Sequence, residues 1–176
     1  MTRVLATGFE PFGEHEVNPS ALIAEELGGV VLPVSFALAA GALRAAIDER
    51  KPDVVVSFGL ADGDSAISVE RFAHNFDEPD AVDNEGAKGS GGEIDPAGPL
   101  AYRSGLPVDA IVAALRAKGI PATPSRDAGG YLCNHVFYVL VHSGARGGFV
   151  HVPPLEVIPL EVQIRAAKTI LAVAST

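Results

Sequence analysis

Short apolar runs bounded by glycine, proline and aspartate alternate along the chain with longer stretches in which apolar residues recur every three or four positions. Arg3-Val4-Leu5-Ala6-Thr7, stopping at Gly8, and Val54-Val55-Val56-Ser57-Phe58, bounded by Pro52-Asp53 and Gly59-Leu60, read as buried strands. Between them, Asn18-Pro19-Ser20 supplies an N-cap and a proline at the first helical position for a short helix over Ala21 to Leu27, which Gly28-Gly29 ends. A brief strand from Val30 to Pro33 precedes a helix predicted from about Phe36 to Arg50. Ser35 is its expected cap, with Leu38, Ala42, Leu43, Ala46 and Ile47 on one face.

Ile67 to Phe72 alternates as a strand does, which sets Ser68, Glu70 and Phe72 on one side and Ile67, Val69 and Arg71 on the other. From Asn75 to Leu106 glycine, proline, aspartate and asparagine crowd the chain and no period can be read; so long a stretch inside a compact domain is usually functional or mobile. A helix over Pro107 to Lys118 stops at Gly119, and a weakly β-prone segment lies near Pro121-Ala122-Thr123. Leu132, Val136, Val139 and Leu140 predict a helix that begins near Tyr131 or Cys133 and ends before Gly144. Phe149 to Val152 is a strand closed by Pro153-Pro154, and Pro159 opens a last helix through Leu171. Strands alternating with helices predict a three-layer α/β/α fold around a mixed, mostly parallel twisted sheet, with residues 1–176 as a single domain. In such folds sites gather at the carboxyl ends of strands and at helix N-termini.

Composition narrows the partners. With 48% hydrophobic residues in 176, the chain can bury a full core, which excludes intrinsic disorder. Thirteen Lys and Arg against 22 Asp and Glu give a formal charge of -9, a field that repels nucleic-acid backbones and anionic lipid. One cysteine excludes an internal disulfide framework and suits a cytoplasmic location, and the most apolar stretch, Leu32 to Ala46, is too short and too interrupted to cross a bilayer.

That single cysteine falls in the first turn of a predicted helix, where unpaired backbone N–H groups and the positive end of the helix dipole favour thiolate over thiol; a small buried apolar role is the competing reading. Among the histidines, His135 points to the opposite side of that helix and His142 lies at its far end. His151, at a strand end before two prolines, is the better partner unless it is simply satisfied within the fold. No histidine pair stands at zinc-site spacing, so no metal is expected. Glu70 interrupts an apolar alternation and needs either a hydrogen-bonded role or a place on an exposed edge strand. Phe9 and Phe12 flank Glu10-Pro11 in an expected loop after the first strand, as core plugs or as pocket walls.

Thr7-Gly8-Phe9-Glu10-Pro11-Phe12-Gly13 followed by Asn18-Pro19-Ser20 resembles the opening of the pyroglutamyl peptidase I (pyrrolidone carboxyl peptidase) family. Four further motifs resemble that family in order: Gly59-Leu60-Ala61 leading to Ile67-Ser68-Val69-Glu70-Arg71, Asp83-Asn84-Glu85-Gly86, Tyr131-Leu132-Cys133-Asn134 with Tyr138, and Gly148-Phe149-Val150-His151-Val152-Pro153. The resemblance implies a cysteine peptidase that removes an N-terminal pyroglutamyl residue from peptides without a cofactor. Cys133 would be the nucleophile, His151 its acid–base partner and Glu70 the group orienting the imidazole. It further implies a lactam pocket walled by Phe9, Phe12, Tyr131 and Leu132, a loop ordered by Asn18, and assembly as a homodimer or homotetramer.

Two positions depart from the family pattern. Asp64 stands where an arginine is usual, and Asp80-Ala81-Val82-Asp83-Asn84 replaces an expected Arg-x-Pro-Asp-Asn. A family-like protein that binds without turning over, and a thiol amidase for another small blocked acyl group, are the alternatives these changes leave open.

Overall fold

The computed structural model describes residues 2–176. Its main sheet has six strands in the order β2-β1-β3-β8-β4-β7, formed by β1 (Val4–Phe9), β2 (Val30–Leu32), β3 (Val54–Leu60), β4 (Ile67–Glu70), β7 (Ala122–Ser125) and β8 (Gly147–Val152). β2, β1, β3 and β8 run parallel, whereas β4 lies antiparallel to β8 and carries β7 parallel to itself. β5 (Phe72–His74) and β6 (Ala101–Arg103) form a separate antiparallel ribbon.

The alternating faces of the strands build two cores. On one face Val56, Phe58, Val69 and Val150 pack against Ile23 of α1 (Pro19–Glu26), Ile111 and Leu115 of α3 (Val108–Ala117), and Ala167 and Ile170 of α5 (Leu160–Ala174). On the other, Leu5, Val55 and Phe149 meet Leu43 of α2 (Ala39–Arg50) and Val136 and Leu140 of α4 (Leu132–His142). The expected α/β/α layering and mixed sheet are therefore present.

Several boundaries differ from expectation, each for a tertiary reason. β1 runs through Gly8 to Phe9 because that glycine is a point of close approach: a Cβ there would lie 1.9 Å from the carbonyl oxygen of Ser20 at the start of α1. Phe9 thus belongs to the strand, not to a loop. β3 likewise continues through Gly59 to Leu60. α2 begins at Ala39, not Phe36. Ser35 opens a preceding turn, its hydroxyl directed to Glu85, and Leu38 is 53% exposed instead of sharing the buried face.

The predicted strand over Ile67 to Phe72 is two strands broken at Arg71, so Phe72 leaves the sheet that holds Glu70. β4 sits between β8 and β7, and Glu70 is only 1% exposed, which removes the edge-strand reading of that residue. The stretch from Asn75 to Leu106 contains β6 and an isolated bridge between Val82 and Lys88.

Candidate active site

Sheet register brings the imidazole and the carboxyl together. Ser68 lies opposite His151 in the antiparallel pair, so Glu70, two residues on, shares the face of β4 that His151 occupies on β8. The Nδ1 of His151 is 2.8 Å from Oε1 of Glu70, with both side chains buried. Since Nδ1 is engaged, the ring's other nitrogen, Nε2, is left for the opposite side, where Cys133 lies near enough for its sulfur to act on the charge of the imidazole. Burial disfavours the imidazolium, but Cys133 and Glu70 outweigh it and raise the His151 pKa from 6.5 to about 10. The arrangement favours the imidazolium form of His151, held between the Cys133 sulfur and Glu70.

Cys133 is half-buried in the first turn of α4, whose N-cap is Tyr131. The amides of Leu132, Cys133 and Asn134 donate to no protein acceptor among the described residues, as expected for the open end of a helix. Beneath the thiol lies Gly59, directly opposite His151 in the β3–β8 register: a Cβ there would come 2.6 Å from Sγ and 2.7 Å from Cζ of Phe149. Gly59, expected to bound the strand, lies inside it in this role; its signal in the sequence is a glycine beside an apolar run, which can mark a close approach as well as an end.

The rim is held by three loops knotted together through carboxylates and amides. Asp83 accepts from the backbone N–H groups of Phe36 (2.8 Å), Glu85 (3.0 Å) and Ala87 (2.9 Å). Its partial burial opposes ionisation, but these three donors hold its carboxyl below the usual 3.8. Glu10 accepts from the Val34 amide at 3.0 Å, and Asn84 donates to the carbonyl of Pro11 at 2.8 Å. Asn18 is fully buried as the N-cap of α1; it accepts from the Ser20 amide and donates to the Glu10 carbonyl, ordering the loop after β1.

Phe12 and Phe36 each pack their rings 5.8 Å from that of Tyr131, whose hydroxyl donates to the Val82 carbonyl. Phe12, Phe36 and Tyr131 thus form a partly exposed aromatic wall beside the start of α4. Phe9 and Leu132 are buried in the core behind it, with Phe9 6.4 Å from Phe149 and Phe149 4.9 Å from His151. Phe36 and the carboxylate knot leave no local signal in the sequence because their contacts join residues from 24 positions apart, Glu10 with Val34, to 95 apart, Phe36 with Tyr131. Asp64 accepts from the Ser68 hydroxyl at 2.7 Å, and Asp80 projects into solvent. Among the described residues no cluster of metal-ligating side chains forms.

The family model for pyroglutamyl peptidase matches residues 2–169. The chain belongs to the pyroglutamyl peptidase family. It is 48% identical over 168 residues to the pyrrolidone-carboxylate peptidase of Clavibacter michiganensis subsp. michiganensis, covering 87% of this chain and 79% of that one. To the Pyrococcus furiosus pyrrolidone-carboxylate peptidase it is 45% identical over 167 residues, covering 86% and 80%. A solved structure of a mutant Pyrococcus furiosus pyrrolidone carboxyl peptidase superposes with a TM-score of 0.94 at 39% identity over 97% of each chain. Bacillus amyloliquefaciens pyroglutamyl peptidase I superposes with 0.93 at 35% identity, over 99% and 97%. Within this pyroglutamyl peptidase, Cys133, His151 and Glu70 come together from α4, β8 and β4. His135, set aside as a partner for the thiol, pairs with Asp77 at 3.0 Å.

Proposed function

We propose that this chain hydrolyses the amide bond after an N-terminal pyroglutamyl residue of a peptide, with Cys133 as nucleophile, His151 as general acid and base, and Glu70 orienting the imidazole. The observation that carries the reading is the 2.8 Å contact of Glu70 with Nδ1 of a histidine whose other side meets the only cysteine.

The steps follow from those positions. The Cys133 sulfur attacks the pyroglutamyl carbonyl carbon, and the resulting oxyanion is met by the unpaired amides at the start of α4; one such donor is worth about 2.7–4 kcal/mol where it has been measured in another enzyme. His151 passes its Nε2 proton to the departing amine, the C–N bond breaks and a thioester remains. Amines leave poorly without that proton, and general acid catalysis contributes about 10²–10⁴-fold. Water then attacks the thioester as His151 takes its proton; the C–S bond breaks, releasing pyroglutamate and restoring the ion pair. Glu70 holds the ring with Nε2 toward the sulfur and stabilises its positive charge throughout.

Specificity follows from the wall of Phe12, Phe36 and Tyr131. A neutral, compact lactam suits aromatic surface, whereas a free peptide N-terminus would have to shed water from its ammonium against that surface. Phe9, Leu132 and Asn18 support that wall from behind and beside it. We further read the chain as one domain that assembles as a homodimer or homotetramer in the cytoplasm, on the strength of the family resemblance and the single free thiol.

Release of chromophore from a pyroglutamyl amide tests the assignment. The unmodified protein should turn over and Cys133→Ala should lose essentially all activity. Binding of a pyroglutamyl ligand without turnover would replace the peptidase reading with that of a binding protein, and turnover of other blocked acyl amides in preference would make it a broader thiol amidase.

A further inference from the structure

The three groups of the site come from three elements, and only two of those share a ladder. His151 and Glu70 are fixed relative to each other because β8 and β4 pair directly, at Ser68 with His151 and Val69 with Val150. Cys133 arrives on α4, and a helix has no strand register to set its height over a sheet.

The side chain next to Cys133 supplies what the register cannot. Asn134 is fully buried, and each of its polar atoms is used. Its Oδ1 accepts from the His74 amide at 2.9 Å, and its Nδ2 donates to the carbonyls of His74 at 2.8 Å and Phe76 at 2.9 Å. His74 ends β5, which follows Glu70 after the single residue Arg71. One asparagine therefore spans from the residue beside the nucleophile to a segment starting four residues past the orienting carboxyl. Nearby, Glu78 donates its amide to the Gly130 carbonyl at 2.8 Å and Asp77 meets His135, so the same segment is laid along the first turn of α4.

We infer that Asn134 is a positioning residue, the strut that sets the thiol end of the site at its working distance from the carboxyl end. This rests on the assignment of Cys133 as nucleophile. Asn134→Asp is the informative change: it keeps the volume and the acceptor for His74 but turns a two-proton donor into a charge facing two carbonyl oxygens.

The experiment measures kcat and KM for a pyroglutamyl amide per active site titrated by thiol alkylation, together with the pH profile of alkylation, for the unmodified protein, Asn134→Asp and Asn134→Ala. Displacement of a reacting group by about 1 Å costs on the order of 10²-fold. Kcat per titrated site should therefore fall about 10- to 100-fold, with KM held within about twofold and an altered alkylation profile. A strut that only stabilises the fold would lower the unfolding temperature and leave kcat per site and the profile unchanged, which overturns the inference. Should both variants fail to fold, hydrogen exchange on the unmodified protein decides: the His74 amide should be protected as well as the bonded amides of α4 from His135 onward, and markedly faster exchange overturns it. Full activity in Cys133→Ala would instead strike at the nucleophile assignment, a separate failure.

Discussion

Gly59 lies so close beneath Cys133 that a single added methyl group would stand 2.6 Å from the sulfur and 2.7 Å from the Phe149 ring. Strand β3 thereby forms the floor on which the thiol rests, and the floor leaves no room for a side chain. Gly59→Ala should drive the sulfur away from His151 or push Phe149 into a packed core. We expect kcat/KM for a pyroglutamyl amide to fall about 100-fold or more, with a loss of about 1–3 kcal/mol in denaturant unfolding from overpacking. Unchanged kinetics in a folded variant would contradict the geometry.

The protonation of His151 is directly observable. Histidine-labelled NMR should show one imidazole that keeps its proton until the pH approaches about 10, and Cys133→Ala should bring that titration down, because the thiol contributes the leading favourable cause. The sign for stability follows. A histidine whose folded value is raised above its unfolded value of 6.5 contributes fully below that pH, and the contribution is lost as the pH rises through about 10.

Glu70→Gln should act through the imidazole. The amide can still accept from Nδ1 but carries no charge, so the alkaline limb of the kcat/KM profile should move to lower pH and kcat should fall while KM changes little. An alkaline limb that stays put in this variant would mean that the carboxyl does not support the imidazolium.

Asp83→Asn bears on the pocket and not on the chemistry. The amide can present only one oxygen to the three backbone donors now shared by two, so the turn bearing Phe36 should loosen. KM is expected to rise several-fold with kcat within about threefold, a split that steady-state kinetics resolves. Because these donors hold the Asp83 carboxyl below its usual 3.8, the unmodified protein should keep its pocket down to at least that pH.

Local signals were readable where local chemistry decides the outcome. Asn18 and Pro19 mark the start of α1 because capping is a contact between near neighbours. α2 starts later than expected because Ser35, whose hydroxyl accepts from the Leu38 amide at 3.3 Å and is also held by Glu85, 50 residues away, caps a turn over residues 36–38 that leads into the helix. Gly8 and Gly59 were read as ends of strands, when each is a position where another segment presses against the backbone. Cys133, His151 and Glu70 could be singled out by residue type and motif, but the register that unites the last two depends on a strand reversal invisible in any window of sequence. The same holds for Asp83, whose bond to Phe36 closes a loop of 47 residues.

That reversal has an effect on water. Because β4 runs against β8, the chain carries Glu70 inward from the level of His151 toward the interior of the sheet, instead of delivering it to the open rim where the parallel strands end. The carboxyl is buried and engaged with Nδ1, which leaves Nε2, facing the thiol, as the ring nitrogen through which a proton is exchanged. A peptide seated there would cover that nitrogen during the acylation step.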